Sequence, residues 1–468
     1  MKFELPKQAK ELMAKMKKAG FECYAVGGCV RDMMLGKETK DWDFTTNATP
    51  EAIQSLFPDS FYDNKFGTVG IPFDVKGSEK STFAKATADK PAIYEVTTYR
   101  SEGSYSDYRH PDKIVFGDSL EEDLDRRDFT INALAFDGTK IIDKHNGISD
   151  LVKKLIRAVG NPEKRFSEDA LRMLRAVRLS VQLMFSIEKK TLAAIGINSS
   201  LINKISGERI RDELIKILSS RKPAMGIMLL KESGLLKEIL PEVEKCFGIE
   251  QQSPKRHHIY DVGTHLMKSL EMCPSEDPIV RLATLLHDVG KAVTFKKTAE
   301  GVITFYNHEI VGASIVKNFT QRFHFSKKDS QRLILLVHYH QFTVDARQTD
   351  SAVRRFIRNV GIENVADILD LRVGDRLGGG ARETSWRLEL FKKRLIEVQK
   401  QPFSVADLKA DGHDVMKIYK TGPGPLVGAV LNMLFEDVVS GKLPNEKEVL
   451  LKRIKDLKKE SKIPDVSS

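Results

Sequence analysis

Apolar positions change period about a third of the way along the chain. Up to about residue 150, short apolar runs and helical stretches alternate, punctuated by glycine. Residues 5–19 repeat at helical spacing and stop at Gly20. Residues 22–26 read as a short strand, Gly27-Gly28 as a turn, and 30–35 as a helix closed by Gly36. A second strand is expected at 41–45 and a helix at 50–56. Residues 69–73, 93–98, 133–136 and 140–143 also have strand character, the last two joined by Asp137-Gly138 as a hairpin turn. Residues 76–90 are polar, rich in Ala, Lys and Thr, and lack a period. They interrupt a hairpin between 69–73 and 93–98 and read as a surface insertion.

After Leu151 the pattern turns helical and stays so, through 170–179, 210–218 and 224–230, with Gly234 and Pro241 marking a helical hairpin. A last helical stretch runs over 405–457, broken at 422–425, and the tail beyond Lys458 reads as frayed. There are no internal repeats.

At roughly 100–200 residues per domain, 468 residues make about three domains. No run approaches the roughly 20 apolar residues that span a bilayer, and the N-terminus lacks a signal peptide's apolar core. No membrane partner and a cytoplasmic location are therefore expected. Cys23, Cys29, Cys246 and Cys273 form no C-x-x-C pair, so reduced, buried thiols are expected rather than a zinc site or disulfides. The net charge of +10 fits a polyanionic partner, because Lys and Arg on phosphates release counterions.

Asp41 and Asp43 stand two apart on a predicted strand, which puts both carboxylates on one face. Adjacent hard oxygen ligands suit two Mg²⁺ ions in phosphoryl transfer, one for the attacking hydroxyl and one for the leaving pyrophosphate. D-x-D alone is weak, but its context is informative. Upstream, Gly27 and Gly28 follow a strand and open a helix bearing Arg31, an arrangement that admits a triphosphate. Downstream, Glu95 lies in a strand able to run beside 41–45 and supply a third carboxylate. The segment DLDRRDFTIN, 123–132, offers Arg127 for the triphosphate, Asp128 for a ribose hydroxyl, and Asn132 to the same nucleotide site. In EDALRMLRAVR, 168–178, Asp169, Arg172, Arg175 and Arg178 would form a stripe along a helix. Cytosine and adenine both show an amine beside a ring-nitrogen acceptor on the Watson–Crick edge. Asp169 can accept from that amine and Arg172 can donate to that nitrogen, whereas uracil and guanine present the opposite pattern.

VGGCVRD, DWDFTT, RRDFTIN and EDALRMLRAVR, in this order and spacing, resemble the motifs of class II tRNA nucleotidyltransferases and bacterial poly(A) polymerases, within the DNA polymerase beta superfamily. The resemblance runs to about Glu250. It implies an α+β protein with a mixed-sheet head (1–150), a helical neck that binds RNA (151–250) and a helical tail (401–468); the region between them (251–400) reads as a metal-binding domain on its histidine pattern. The family's roles fall on Gly28, Arg31, Asp41, Asp43, Arg127, Asp169, Arg172, Arg175 and Arg178. The implied reaction is template-independent addition of CCA to the tRNA 3′ end from CTP and ATP, with Mg²⁺. Poly(A) synthesis and A-only addition share the same motifs. The insertion after Phe73 departs from the family's short hairpin and leaves the place of Glu95 open. The stretch 100–111, RSEGSYSDYRHP, resembles the loop that accompanies terminal A addition.

Eight of the eleven histidines fall between His257 and His340. His265, the adjacent His287-Asp288 and the late Asp375 resemble the metal ligands of the HD phosphohydrolase superfamily. Imidazole with carboxylate suits Mn, Ni, Fe or Zn, and a metal-bound water can attack a phosphate ester. His308 and His338 are candidates for a second metal or the phosphate. A chain acting mainly as such a hydrolase, with an RNA-binding head, is the alternative from another class, and an RNA-binding scaffold with neither activity is a third.

Overall fold

A computed structural model describes residues 4–39, 41–63, 67–73, 92–100, 117, 119–251, 260–342, 344–345, 347–398 and 405–460. The insertion 76–90, residues 101–111 of the loop and the tail beyond 460 lie outside the described residues. The chain divides into two compact units. One comprises 1–249, 262–267 and 317–327, the other 250–261, 268–316 and 328–468.

The first unit is built on a seven-stranded sheet: β1 (Cys23–Val26), β2 (Asp43–Thr46), β3 (Phe61–Asp63), β4 (Thr68–Phe73), β5 (Ala92–Thr98), β6 (Leu134–Phe136) and β7 (Ile141–Asp143). Their order is β3-β4-β5-β2-β1-β6-β7. Only β2 and β5 pair in parallel, so the sheet is mixed as expected. β4 and β5 pair from Thr68↔Thr97 to Phe73↔Ala92, which is the hairpin predicted across the insertion. Strand β3 was not predicted; it is three residues long and has no readable alternation. Its Phe61 ring packs against Gly70, where an added Cβ would come within 2.4 Å. The Asp137-Gly138 turn forms as read: Gly138 takes φ +96°, and Asp137 Oδ1 accepts from the Thr139 and Lys140 amides. The first helix, Lys7–Lys18, buries Ala9, Leu12, Met13 and Met16. Each of the larger side chains contributes roughly 1.5–3 kcal/mol on burial.

The neck follows as Pro162–Glu168, Leu171–Leu183, Lys189–Asn198, Gly207–Leu218 and Pro223–Glu232. Leu171–Leu183 packs on Gly207–Leu218. The expectation of helix alone after Leu151 needs correction, because Leu155–Ile156 pairs in parallel with Ser186–Ile187, and Lys296–Lys297 pairs with Ile303–Thr304. These ladders are two residues long, too short for a period to register.

In the second unit the tail forms Gly412–Tyr419, Pro425–Val439 and Lys447–Lys459 around Leu434, Leu450 and Ile454. Pro425 sits in the first turn of its helix, so the predicted break is where the chain turns. All four cysteines are free and buried. Among the described residues no helix is long and apolar enough to cross a membrane.

Candidate functional site

Strand β2 begins at Asp43, so Asp41 stands just before it rather than within it. The alternation still holds. Trp42 is buried, stacking on Phe44 with ring centroids 6.4 Å apart, and this leaves Asp41 and Asp43 exposed on the other side. The parallel pairing sets Asp43 directly beside Glu95, with the Glu95 amide donating to the Trp42 carbonyl at 3.2 Å. The third carboxylate thus lands where the sequence left it open. Partial desolvation of the Asp43 carboxyl, with Glu95 and Asp41 as like-charged neighbours outweighing Arg127, pushes its pKa up to about 6. A cluster of acids that repel one another is a donor set suited to a divalent cation.

Opposite these acids the turn is drawn tight. Gly27 takes φ +80°, and a Cβ there would meet Arg127 Nη1 at 3.0 Å. Arg31 forks onto Asp32 at 2.9 and 2.8 Å and donates to Asn132 Oδ1 at 2.7 Å. Arg127 and Arg126 both bind Asp123, which has no exposed surface. Burial works against the ionised form of Asp123, but the two guanidiniums prevail and hold its carboxyl below the usual range. Asp128 accepts from the Phe129 amide at 2.8 Å and Asn132 Nδ2 at 3.2 Å and faces Arg175 at 3.6 Å.

The stripe over 169–178 needs one correction. Asp169 is not helical; at φ −139° it breaks the chain between Pro162–Glu168 and Leu171–Leu183. Its Oδ1 accepts from the Leu171 amide at 3.0 Å, so the side chain caps the helix it was expected to continue. Its Oδ2 faces Arg209 at 3.3 Å. Arg172 donates to Glu168 at 3.0 Å and to the Arg126 carbonyl at 3.1 Å, tying the helix to the DLDRRDFTIN segment. Arg178 pairs with Glu213 at 2.9 Å. Gly27, Gly28, Arg31, Asp43, Arg127, Asp128, Asn132, Asp169, Arg172, Arg175 and Arg178 all line one open cleft of about 470 Å³, a size suited to a small polar ligand. Arg126, the second cation of the 123–132 segment, lines it too, as do Leu179 and Gln182, which were not singled out. Nor were Arg209 and Glu213. Their i,i+4 spacing was visible, but it reads equally as a surface ion pair.

The second candidate centre lies after helix Pro278–Leu286, at His287 and Asp288, both buried. Three imidazoles are anchored alike: Nδ1 of His287, His308 and His340 lies 2.7, 2.9 and 2.7 Å from the carbonyls of Thr284, Phe305 and Val337. That leaves each Nε2 for the interior, where Asp288 stands 3.3, 3.2 and 3.6 Å from the three in turn. One ligand atom each from Asp288, His308 and His340 fits within 4.8 Å. His340 therefore takes the place expected of His338, whose ring packs on Tyr339 instead. Asp375 Oδ1 lies 3.7 Å from His287 Nε2. His265 is buried on Val262–Met272. Lys291 Nζ reaches Asp288 at 2.6 Å and Gln251 at 2.7 Å. Burial opposes the imidazolium of His287, yet Asp288 beside it pushes its pKa up to about 10. The same neighbours, Lys291 first among them, hold Asp288 well below the carboxylate range against burial. Gly290 is obligatory: a Cβ there would sit 2.0 Å from the His308 carbonyl oxygen.

Comparison with known proteins bears on the whole chain. Residues 23–157 match the poly A polymerase head domain, 184–247 the RNA and SrmB-binding site of polymerase A, and 302–454 the tRNA nucleotidyltransferase domain 2. The CCA-adding enzyme of Ligilactobacillus salivarius (strain UCC118) is 33% identical over 464 residues, covering 97% of each chain. That of Lactobacillus helveticus (strain DPC 4571) is 32% identical, over 96% of this chain and 97% of the other. Among solved structures, the Bacillus stearothermophilus CCA-adding enzyme in complex with CTP aligns with a TM-score of 0.70 at 27% identity, over 98% of this chain and 99% of that one. The Thermotoga maritima CCA-adding enzyme complexed with tRNA shares the fold, with a TM-score of 0.56 at 19% identity over 97% and 96%.

Proposed function

This chain belongs to the CCA-adding enzyme family of tRNA nucleotidyltransferases, and on that premise we propose that it adds C, C and A in turn to the tRNA 3′ end, from CTP and ATP, in the cytoplasm. The observation that carries the reading is the Asp43–Glu95 pairing, with Asp43 lining the same cleft as Asp169, Arg172, Arg175 and Arg178. The reaction is metal-dependent, and we assign Mg²⁺ to Asp41 and Asp43. Bound there, the metal would favour the 3′-alkoxide and neutralise the leaving pyrophosphate. The chain's own groups do the rest. The Gly28 backbone amide, with Arg31 and Arg127, holds the triphosphate, and Gly27, whose own amide donates to the Leu134 carbonyl, makes the turn that presents it. Asp128 holds Arg175, Asn132 holds Arg31, and both face the sugar. Asp169 Oδ2 accepts from the base amine while Arg172 donates to the ring nitrogen. Asp169 Oδ1 already accepts from the Leu171 amide and Arg172 already donates to Glu168, so the reading pair is oriented before nucleotide arrives. Pre-oriented donors and acceptors favour the matching edge and leave a mismatched one with unpaired groups.

The test supplies tRNA lacking CCA with each nucleotide alone and in combination. Two C residues from CTP and a terminal A once ATP is added are expected, with nothing from UTP or GTP. Long A tails on an unstructured primer, without C, would replace this reading with poly(A) synthesis.

A second centre is supported by the ligand geometry at Asp288, His308 and His340. We assign it a transition metal, one of Mn, Ni, Fe or Zn, with His287 and Asp375 in the ligand set, and hydrolysis of phosphate esters as its chemistry. Elemental analysis of the purified protein and hydrolysis of bis-p-nitrophenyl phosphate test it. The absence of both signals would remove it. The domain division we propose is head 1–150, neck 151–250, His/Asp domain 251–400 and tail 401–468.

A further inference from the structure

Beside the cavity of the His/Asp centre lies a second pocket, of about 330 Å³, lined by Arg372, Arg376, Ser385, Trp386 and Arg387 among others. We propose that it is a nucleotide subsite of that centre, with the base stacked on Trp386 and a phosphate held by Arg372 and Arg376. This rests on the phosphohydrolase reading of the centre and places the base of its substrate.

Four observations support it. Trp386 opens helix Trp386–Val398 and is 65% exposed, whereas the chain's other tryptophan, Trp42, is 4% exposed. Most of the indole is therefore open to a ligand rather than spent on packing. The helix itself is fixed beneath it, with the Leu388 amide donating to Ser385 Oγ at 3.3 Å and Leu388 and Phe391 buried. Second, the Arg387 guanidinium lies 5.3 Å from the indole centroid, so aromatic and cation are already paired as in stacked nucleobase sites. Third, Arg372 and Arg376 lie one turn apart on helix Val365–Gly378 and share a face. Arg372 is steadied by Asp375 at 3.2 Å and by the Phe342 ring at 5.5 Å, and Arg376 Nε donates to the Arg382 carbonyl at 3.1 Å. Among the described residues lining the pocket there are three arginines and no carboxylate, which suits an anion. Fourth, Arg372 also lines the cavity that holds Asp288, His308, His340 and Asp375. One side chain is common to both walls, so a phosphate bound at Arg372 lies between a stacked base and the candidate metal ligands.

Free mononucleotides and the end of an RNA strand carry the same chemistry, and the test separates them. The probes are 5′-CMP, cytidine, and an RNA trinucleotide with a 3′-phosphate, titrated into the full-length protein. Saturable quenching of tryptophan emission is expected with both phosphates and at least tenfold weaker binding with cytidine. Equilibrium dialysis of labelled probe should show roughly tenfold loss of affinity in Trp386→Ala and in Arg376→Ala, the scale of one stacking or phosphate contact, with melting temperature kept. Tighter binding of the trinucleotide identifies an RNA end as the source, and tighter binding of 5′-CMP identifies free nucleotide. Unquenched emission, or affinity unchanged by Trp386→Ala, overturns the subsite. Asp288→Asn separates the two ideas. Nucleotide binding that persists in that variant, in a wild-type protein that hydrolyses nothing, keeps the subsite and removes the hydrolase. Hydrolysis of bis-p-nitrophenyl phosphate without nucleotide binding does the reverse.

Discussion

The nucleotide cleft and the His/Asp centre both gather acids and cations, but in opposite ways. In the cleft the arginines are matched with carboxylates: Arg31 with Asp32, Arg127 with Asp123, Arg175 with Asp128, Arg178 with Glu213. Asp43 differs: Glu95 and Asp41 are like-charged neighbours that Arg127 offsets only in part, and the three acids stay exposed. In the centre one buried carboxylate, Asp288, serves three imidazoles and a lysine. An open cleft with unbalanced acids suits ions and nucleotides that come and go with each turnover. A buried, nitrogen-rich set suits an ion that stays. The contrast teaches that the same residue types carry different chemistry according to burial and to who neutralises whom.

The largest effect should come from Asp43→Ala. Losing one ligand of the nucleotidyl site removes several kcal/mol of charge stabilisation, so addition to tRNA should fall by about 10³-fold or more. Bound transition metal should be unchanged by elemental analysis. Wild-type incorporation, or loss of that metal, would break the separation of the two sites.

Next comes Asp288→Ala. It strands Lys291 in a buried site, and removing one partner of a buried ion pair costs about 3–5 kcal/mol. A fall in melting temperature together with loss of transition metal is expected, while soluble protein keeps adding CCA. His340→Ala should lose metal and His338→Ala should not. Equal metal content in those two variants would return the role to the residue first expected.

Arg172→Ala tests the cleft at finer scale. A single donor to the base edge is worth roughly 1–3 kcal/mol of discrimination, so preference for CTP and ATP over UTP and GTP should drop about 10- to 100-fold. Because Arg172 also bonds Glu168 and the Arg126 carbonyl, overall rate should fall as well, and the diagnostic is the ratio between nucleotides.

How much of this was readable follows from the distance over which each feature is determined. The D-x-D acids are a matter of strand alternation around Trp42, and the cleft motifs could be named because their side chains are neighbours in sequence. The Asp43–Glu95 adjacency depends on register across a long insertion, which local pattern does not specify. Asp169 was read as helical because its neighbours continue a helical period, but its side chain captures the Leu171 amide and ends that continuity. His338 and His340 are two residues apart where helix Lys327–Tyr339 stops, and only the stop decides which one turns inward. Arg209 and Glu213 come from a helix some forty residues later than the groups they steady, so nothing near those groups announces them.

The smallest effect is the pH dependence of Asp43 itself. Its folded pKa of about 6 lies above the unfolded value of about 3.9. The folded protein therefore holds the proton more tightly, and in EDTA its stability should fall as pH rises from about 4 to about 6, then level off. A full shift of this size would be worth near 3 kcal/mol. Asp43 keeps an exposed carboxylate, so solvent screening reduces the expectation to about 1 kcal/mol. Asp43→Asn removes the penalty. Its melting temperature should equal the wild type at pH 4, exceed it slightly at pH 7.5, and lose that advantage when Mg²⁺ is added, because only the wild type gains from the ion. The same titration predicts that nucleotide addition weakens below about pH 6, where a protonated Asp43 no longer competes for metal. An advantage of Asp43→Asn that is the same at both pH values would mean that neither desolvation nor the like charges of Glu95 and Asp41 are felt at Asp43. The contrast between an unbalanced cleft and a balanced centre would then lose its electrostatic basis.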